Sequence, residues 1–313
     1  MSEKKGKTDM EYIIETENLT KYYGTSMVVD NVNIHVPKGK IYGMLGRNGA
    51  GKTTIMSMLL NLVTPSDGYI KLFNKEYMYN PKEVYRRIGS IIETPGFYEN
   101  LTGKENLEIM ARLRGQYKKE CVQSALLSVG LGHEVQKTFG SYSLGMKQRL
   151  GIAAAVMHEP ELLILDEPVN GLDPVGIAVV RNYLEKLCIE KGITILISSH
   201  ILGEMEQLAD IIGVMNEGRL IEEITMEQLH KRCRQYIEIE VSDPIRAIKL
   251  LKTCHHITDL VYDQTVRVYD FTHDSGEINK TLVENGLLVK KIDVKAEKLE
   301  DYFSDLIGGD GIA

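Results

Sequence analysis

Short apolar runs separated by glycine-rich turns or acidic residues set the pattern of the first two thirds of the chain. Ile41–Leu45, residues 88–92, Leu162–Leu165 and residues 193–197 contain no charged side chain and fit buried strands. The last two are of the kind covered on both faces in parallel sheets. Residues 12–19 and 28–36 alternate well enough to be strands, with a turn over 21–26, and 68–73 reads as a further strand after a turn at 65–68. A helix is predicted over 54–62, starting near Lys52. From 102 to 129 the spacing becomes helical, with Leu107, Met110, Ala111 and Leu113, then Val122, Ala125, Leu126 and Val129. Another helix begins near Leu144 and runs to Met157. Strands alternating with helices predict an α/β core, a mostly parallel sheet covered on both faces, with a helical subdomain at about 94–158.

After Leu229 a basic stretch (Lys231, Arg232, Arg234) marks a boundary. Beyond it the pattern reads strand 236–241, helix 244–252, strands near 259–262 and 266–271, helix 277–284 and strand 287–293. That βαββαβ order predicts a small α+β domain of ferredoxin-like type. An amphipathic helix at 299–307 closes the chain. The expected organisation is a flexible tail at 1–11, a larger α/β domain at 12–229, and an accessory domain at 230–313 without a catalytic cluster.

A chain of 313 residues, 43% hydrophobic and 26% charged, suits two globular domains, each with its own core. The net charge of -7 excludes broad nucleic-acid binding, which needs a basic footprint. No apolar stretch has the length of a membrane span, and the charged N-terminus lacks the apolar segment of a secretory signal. Cys121, Cys188, Cys233 and Cys254 are too scattered for a zinc or redox motif and read as reduced thiols of a cytosolic protein. His255 and His256 lack partners at metal-ligand spacing.

The chemistry concentrates in two segments. Residues 46–53 read GRNGAGKT, directly after an apolar run and before a helix. Gly46, Gly49 and Gly51 let the backbone wrap tightly and aim its N–H groups at phosphate oxygens, helped by the positive end of the following helix. Lys52 would reach the β- and γ-phosphates, and the Thr53 hydroxyl would ligate Mg2+. Residues 162–168 read LLILDEP. Asp166 at the end of a buried strand can hold Mg2+ through water, and Glu167 can take a proton from an attacking water. Upstream, Ser143 and Gly145 offer a hydroxyl and a free backbone N–H at a helix start.

Taken in order, these segments resemble the ATP-binding subunit of an ABC transporter over about residues 12–229. GRNGAGKT resembles Walker A, LLILDEP Walker B, and SLGMKQ a variant of the LSGGQ signature. The resemblance implies that Gly46, Arg47, Asn48, Gly49, Ala50, Gly51, Lys52, Thr53 and Thr54 cradle ATP, and that Tyr23, or less readily Tyr22, stacks on adenine. It implies a D-loop aspartate at Asp173, a switch histidine at His200 that contacts the γ-phosphate, and Glu167 as catalytic base. Thr53, Glu93 and Asp166 would be the Mg2+ ligands. Leu144 stands where the signature usually has Gly, and Met146 where it usually has Gln. Glu93 replaces the usual Q-loop glutamine, which keeps a metal ligand but adds negative charge beside the γ-phosphate.

These departures and the ending KLEDYF resemble the bacitracin-resistance and lantibiotic-immunity branch. The expectations are a homodimer in which the signature of one copy closes on the ATP of the other, an integral-membrane permease as partner, and a place at the cytoplasmic face of a bacterial membrane. The loop from 93 to 101, with Phe97 and Tyr98, would receive the permease. Export of another small molecule or lipid is the alternative, followed by a soluble non-transport ABC ATPase.

Overall fold

The computed structural model describes all residues except 1–10, 77–80, 94–95, 116–117, 135, 233–234, 254–257, 263–264, 270–274, 297–298, 300–301, 304–305 and 307–313. The expected tail at 1–11 (but for Glu11), Cys233, Cys254, the His255–His256 pair and most of the expected helix at 299–307 lie outside the described residues. The chain divides into one unit reaching Met226 and a second from Glu227 on.

The first unit opens with β1 (Tyr12–Tyr23), β2 (Ser26–Val32), β3 (His35–Pro37), β4 (Ile41–Leu45), α1 (Lys52–Leu59), β5 (Asp67–Leu72) and β6 (Lys75–Glu76). It continues with α2 (Pro81–Arg86), β7 (Ile88–Ile91), α3 (Gly103–Leu113), α4 (Lys119–Ser128), α5 (Leu144–Val156) and β8 (Leu162–Leu165). Then come α6 (Pro174–Lys191), β9 (Thr194–Ser199), α7 (Leu202–Leu208), β10 (Ile211–Asn216), β11 (Arg219–Thr225) and α8 (Met226–Arg232), which crosses into the second unit.

The apolar runs assemble into a sheet of order β11-β10-β4-β9-β8-β7. Its strands are parallel except for β11, which pairs antiparallel with β10. Every residue of β4, β8 and β9 is buried, which explains the absence of charge from these segments. Parallel strands deliver their following loops to one edge, so residues after β4, β8 and β9 meet. A second sheet, of order β2-β1-β5-β6 with β3 also on β1, is antiparallel.

In the first unit, three differences from the expected boundaries stand out. Tyr22 and Tyr23 belong to β1, whose turn into β2 occupies only residues 24–25. The strand expected over 28–36 breaks into β2 and β3. Thr16 spans the break, its Oγ1 donating to Val32 O at 2.9 Å and accepting from Ile34 N at 2.8 Å. Helix α1 stops at Leu59, short of 62, and Asn61 adopts a left-handed φ of 55° just beyond it.

The helical segment is α3, α4 and α5. Thr102 caps α3 reciprocally: its Oγ1 accepts Glu105 N at 3.2 Å, while Glu105 Oε2 accepts Thr102 N at 2.8 Å. Leu107, Ala111, Val122, Ala125, Leu126 and Val129 are buried as their spacing predicts, whereas Leu113 at the end of α3 is exposed. Buried Asn106 bonds the backbone of Tyr98, Leu101 and Thr102, so it shapes the loop before α3. Helix α5 lies directly on the core sheet. A Cβ on Gly89 of β7 would stand 2.0 Å from Ala155 O, a separation only glycine permits.

The second unit contains β12 (Gln235–Val241), α9 (Pro244–Thr253), β13 (Thr258–Tyr262), β14 (Thr265–Val268), α10 (Ser275–Glu284) and β15 (Val289–Ala296). The strands form an antiparallel sheet of order β13-β14-β12-β15, the topology of the βαββαβ arrangement. Ile237, Ile239, Val241, Val266 and Val268 form one core with Ala247 and Leu251 of α9 and Ile278 and Leu282 of α10. Strand β15 starts at Val289 and runs to Ala296, two residues later and three residues further than the sequence suggests. Among the described residues no helix is long and apolar enough to cross a membrane.

Candidate functional site: a nucleotide cradle with two carboxylates

The loop after β4 turns from strand to helix in six residues. Gly49 and Gly51 adopt φ of 84° and 98°, values that a side chain resists. Gly46 is closed in differently: a Cβ there would meet Met215 O at 2.4 Å. Gly46 N donates to Ser199 O of β9 at 3.3 Å, and Ala50 N to Arg47 O at 3.1 Å. Arg47, Asn48 and Gly49 face solvent, Ala50 is buried, and Thr54 is half-buried on α1.

Lys52, 5% exposed, folds back over this loop. Its Nζ donates to Gly46 O at 2.5 Å and Arg47 O at 3.2 Å, and lies 3.6 Å from Glu167 Oε1. Burial lowers the ammonium pKa from its ordinary value, while Glu167 and Asp166 pull it back up. Thr53 Oγ1 donates to Asp166 Oδ2 at 2.7 Å. Strand β9 runs between β4 and β8, so its end touches both loops. Ser198 Oγ donates to Asp166 Oδ1 at 2.5 Å and accepts Glu167 N at 2.9 Å. One residue further, Ser199 Oγ donates to Glu204 Oε2 at 2.9 Å and accepts Ile201 N at 3.0 Å. Burial raises the Glu204 pKa, opposed by the Ser199 bond.

Glu167 has a left-handed φ of 47°. Its Oε2 lies 2.8 Å from His200 Nδ1, an N–H donor to the carboxylate, and its Oε1 is buried with no hydrogen-bond partner. The structure therefore brings Gly46, Lys52, Thr53, Asp166, Glu167 and His200 together. A buried ammonium and a glycine cradle fit a polyphosphate, whose oxygens need cations and N–H donors, while the Glu167 oxygen without a hydrogen bond can accept one from water.

The other residues that the sequence points to sit elsewhere. Ser143 caps α5, its Oγ accepting Met146 N at 3.3 Å, and Asp173 caps α6, its Oδ1 accepting Gly176 N at 3.1 Å. These two caps are neighbours: an added Cβ on Gly145 would meet Leu172 Cδ2 at 3.1 Å, and one on Gly171 would meet Leu144 Cδ2 at 2.4 Å. Glu93 is exposed, with φ of 61°, just past β7. Tyr23 is 49% exposed at the tip of β1, its ring 5.1 Å from Lys21 Nζ. Phe97 packs edge-on against Phe139 at 5.1 Å, whereas Tyr98 is exposed. Ser198, at the centre of the cluster, is not among the residues the sequence points to. Its signal in the sequence is a hydroxyl pair at the end of an uncharged strand.

A glycine cradle after one parallel strand, two carboxylates after the next strand but one and a histidine after the strand between them define an ABC-type ATPase. Residues 29–170 match the family model described as ABC transporter, and the chain belongs to the ATP-binding proteins of that family. It is 61% identical to the bacitracin transport ATP-binding protein BcrA of Enterococcus faecalis, over 97% of this chain and 99% of that one. The BcrA of Bacillus licheniformis is 52% identical over 96% of this chain and 99% of its own. The lantibiotic transport ATP-binding protein SrtF of Streptococcus pyogenes is 45% identical over 67% of this chain and 89% of its own. Among solved structures, an ATP-binding subunit of an ABC transporter superposes with a TM-score of 0.64 at 30% identity, covering 70% of this chain and 92% of that one.

Proposed function

We propose that this ATPase drives export of a bacitracin- or lantibiotic-like peptide through a separate membrane permease, working as a homodimer at the cytoplasmic face of the bacterial membrane. The observation that carries the chemistry is the Lys52–Glu167–His200 contact beside the Thr53–Asp166 pair. Similarity to bacitracin transport proteins along nearly the whole chain supports the cargo.

In this reading residues 46–54 bind the triphosphate, Lys52 offsets charge on its β- and γ-phosphates, and Tyr23 stacks on the adenine. Thr53 and Asp166 would hold Mg2+, which neutralises charge on the phosphate oxygens when bound, and Glu93, two residues beyond the Ile91 carbonyl that accepts Asp166 N, would join them from the neighbouring strand. Among the described residues no group of three or more His, Cys, Asp or Glu side chains is arranged as a metal site, so the cation is expected to arrive with the nucleotide. Glu167 accepts a proton from the attacking water, and His200 holds the carboxylate and contacts the γ-phosphate. Ser143, Gly145 and Asp173 lie outside the Lys52 cluster. They act on the nucleotide of a second copy, which explains why the site needs a dimer.

Glu167→Gln tests the reading. ATP binding should persist while turnover falls roughly 10²–10⁴-fold, the contribution of a positioned base, and the MgATP-loaded variant should sediment as a dimer. Unchanged turnover would remove Glu167 from this role. Coexpression with its permease should raise the bacitracin or lantibiotic tolerance of a sensitive bacterium, and the variant should abolish the gain. No gain with either peptide would overturn the cargo assignment.

A further inference from the structure

The Glu167 carboxylate meets His200 and Lys52 from a backbone in the left-handed region. A φ of 47° is uncommon for a residue with a side chain, and a change of φ redirects the side chain it carries. Something must hold that turn. On its far side Asn170 N donates to Glu167 O at 3.1 Å, and on its near side the N–H groups beyond β8 hold it. Asp166 N donates to Ile91 O of β7 at 2.9 Å, so the ladder continues one residue past Leu165 on that flank. On the other flank Leu165 faces Ile197, and the next bond, from Glu167 N, goes to the Ser198 side chain.

We propose that Ser198 is a positioning residue for hydrolysis, its hydroxyl setting the direction of the Glu167 carboxylate by tying Glu167 N to Asp166. Ser198 is fully buried and Asp166 nearly so. One hydroxyl proton goes to Asp166 Oδ1 and one lone pair takes the Glu167 N–H, so a single side chain ties the Asp166 carboxylate to the Glu167 backbone. An apolar residue here would leave both groups without these bonds in a site that water barely reaches. Consecutive strand residues face opposite ways, and Ser199 accordingly serves Glu204 and Ile201 N. The two serines have separate tasks. This inference rests on the reading of Glu167 as base.

The test is steady-state ATP hydrolysis by the purified full chain. Ser198→Ala should lower kcat roughly 10- to 100-fold, with KM for ATP within about threefold of the parent. Ser198→Thr keeps the hydroxyl and should recover most of the rate. Ser198→Cys preserves the volume but weakens both bonds, so it should lose rate in the same direction even if the alanine variant fails to fold. Added to Glu167→Gln, Ser198→Ala should cost little more, because the group it positions is already gone.

Parental kcat in Ser198→Ala or Ser198→Cys would overturn the proposal. Equal loss with and without Glu167→Gln would do the same, assigning Ser198 to folding or ATP binding. Should Glu167→Gln itself leave turnover intact, the failure lies with Glu167. A normal loss there beside a silent Ser198→Ala refutes Ser198 alone.

Discussion

Gly46→Ala is the sharpest probe of the cradle, because the structure states what the added methyl would strike. Its Cβ would fall 2.4 Å from Met215 O and 3.2 Å from both Met215 Cβ and Ala50 Cβ. The oxygen stands roughly 1 Å inside normal contact distance. It belongs to the backbone of β10, whose Val214 is in register with Leu45 of β4, so it has no side-chain rotation with which to yield. The relief must come from the loop. Gly46 O holds the Lys52 ammonium and Gly46 N is bonded to Ser199 O, so moving the loop displaces the cation.

A misplacement of about 1 Å near the reacting groups costs on the order of 10²-fold in rate. Overpacking adds about 1–3 kcal/mol of destabilisation. Gly49→Ala is the control, since its Cβ would meet nothing within 4 Å and only the φ of 84° opposes it. That substitution should cost about 1–2 kcal/mol in backbone conformation. The assay is kcat/KM for ATP beside a thermal melt of each purified variant. Gly46→Ala should lose far more kcat/KM than Gly49→Ala. A Gly46→Ala protein within twofold of the parent would refute the steric account.

Two further outcomes concern stability. His158 bonds Ile88 O at 3.1 Å and lies 2.9 Å from Arg114 Nη1, and burial followed by Arg114 lowers its pKa to about 4. The unfolded chain takes up that proton first as pH falls through about 6.5. The contribution is therefore present at neutral pH and lost between about 6.5 and 4, amounting to about 1–2 kcal/mol after solvent screening. His158→Gln should flatten the slope of denaturant stability measured over that window; an unchanged slope would exclude His158 as its source. Thr102→Ala removes the hydroxyl that accepts Glu105 N, while the backbone N–H of residue 102 keeps its bond to Glu105, and should cost about 1 kcal/mol, seen as faster hydrogen exchange in the first turn of α3. Unaltered exchange there would count against the cap.

The core strands were legible because a charge-free run such as 162–165 has nowhere to go but inside a sheet. The cradle was legible because Gly49 and Gly51 occur where the backbone turns left-handed. The break between β2 and β3 was not, because Thr16, remote in sequence, supplies the bonds that make it. The hairpin after Tyr23 looked longer than it is, since exposed Tyr22 and Tyr23 resemble turn residues as much as strand residues. Leu113 fits the helical spacing yet lies past the buried stripe of α3. Ser198 matters only through the registration of β9 against the end of β8, which no local pattern records.

The contact of Gly89 with Ala155 makes the rear of α5 a fulcrum. Backbone rests on backbone there, so the helix cannot move closer to the sheet, and any tilt would turn about that point. Ser143 lies twelve residues away at the opposite end, about 18 Å along the axis. A tilt of about 10° would carry its hydroxyl roughly 3 Å while Ala155 hardly moves. A small angular change near the sheet would thus become a displacement at the helix tip as large as a hydrogen bond is long.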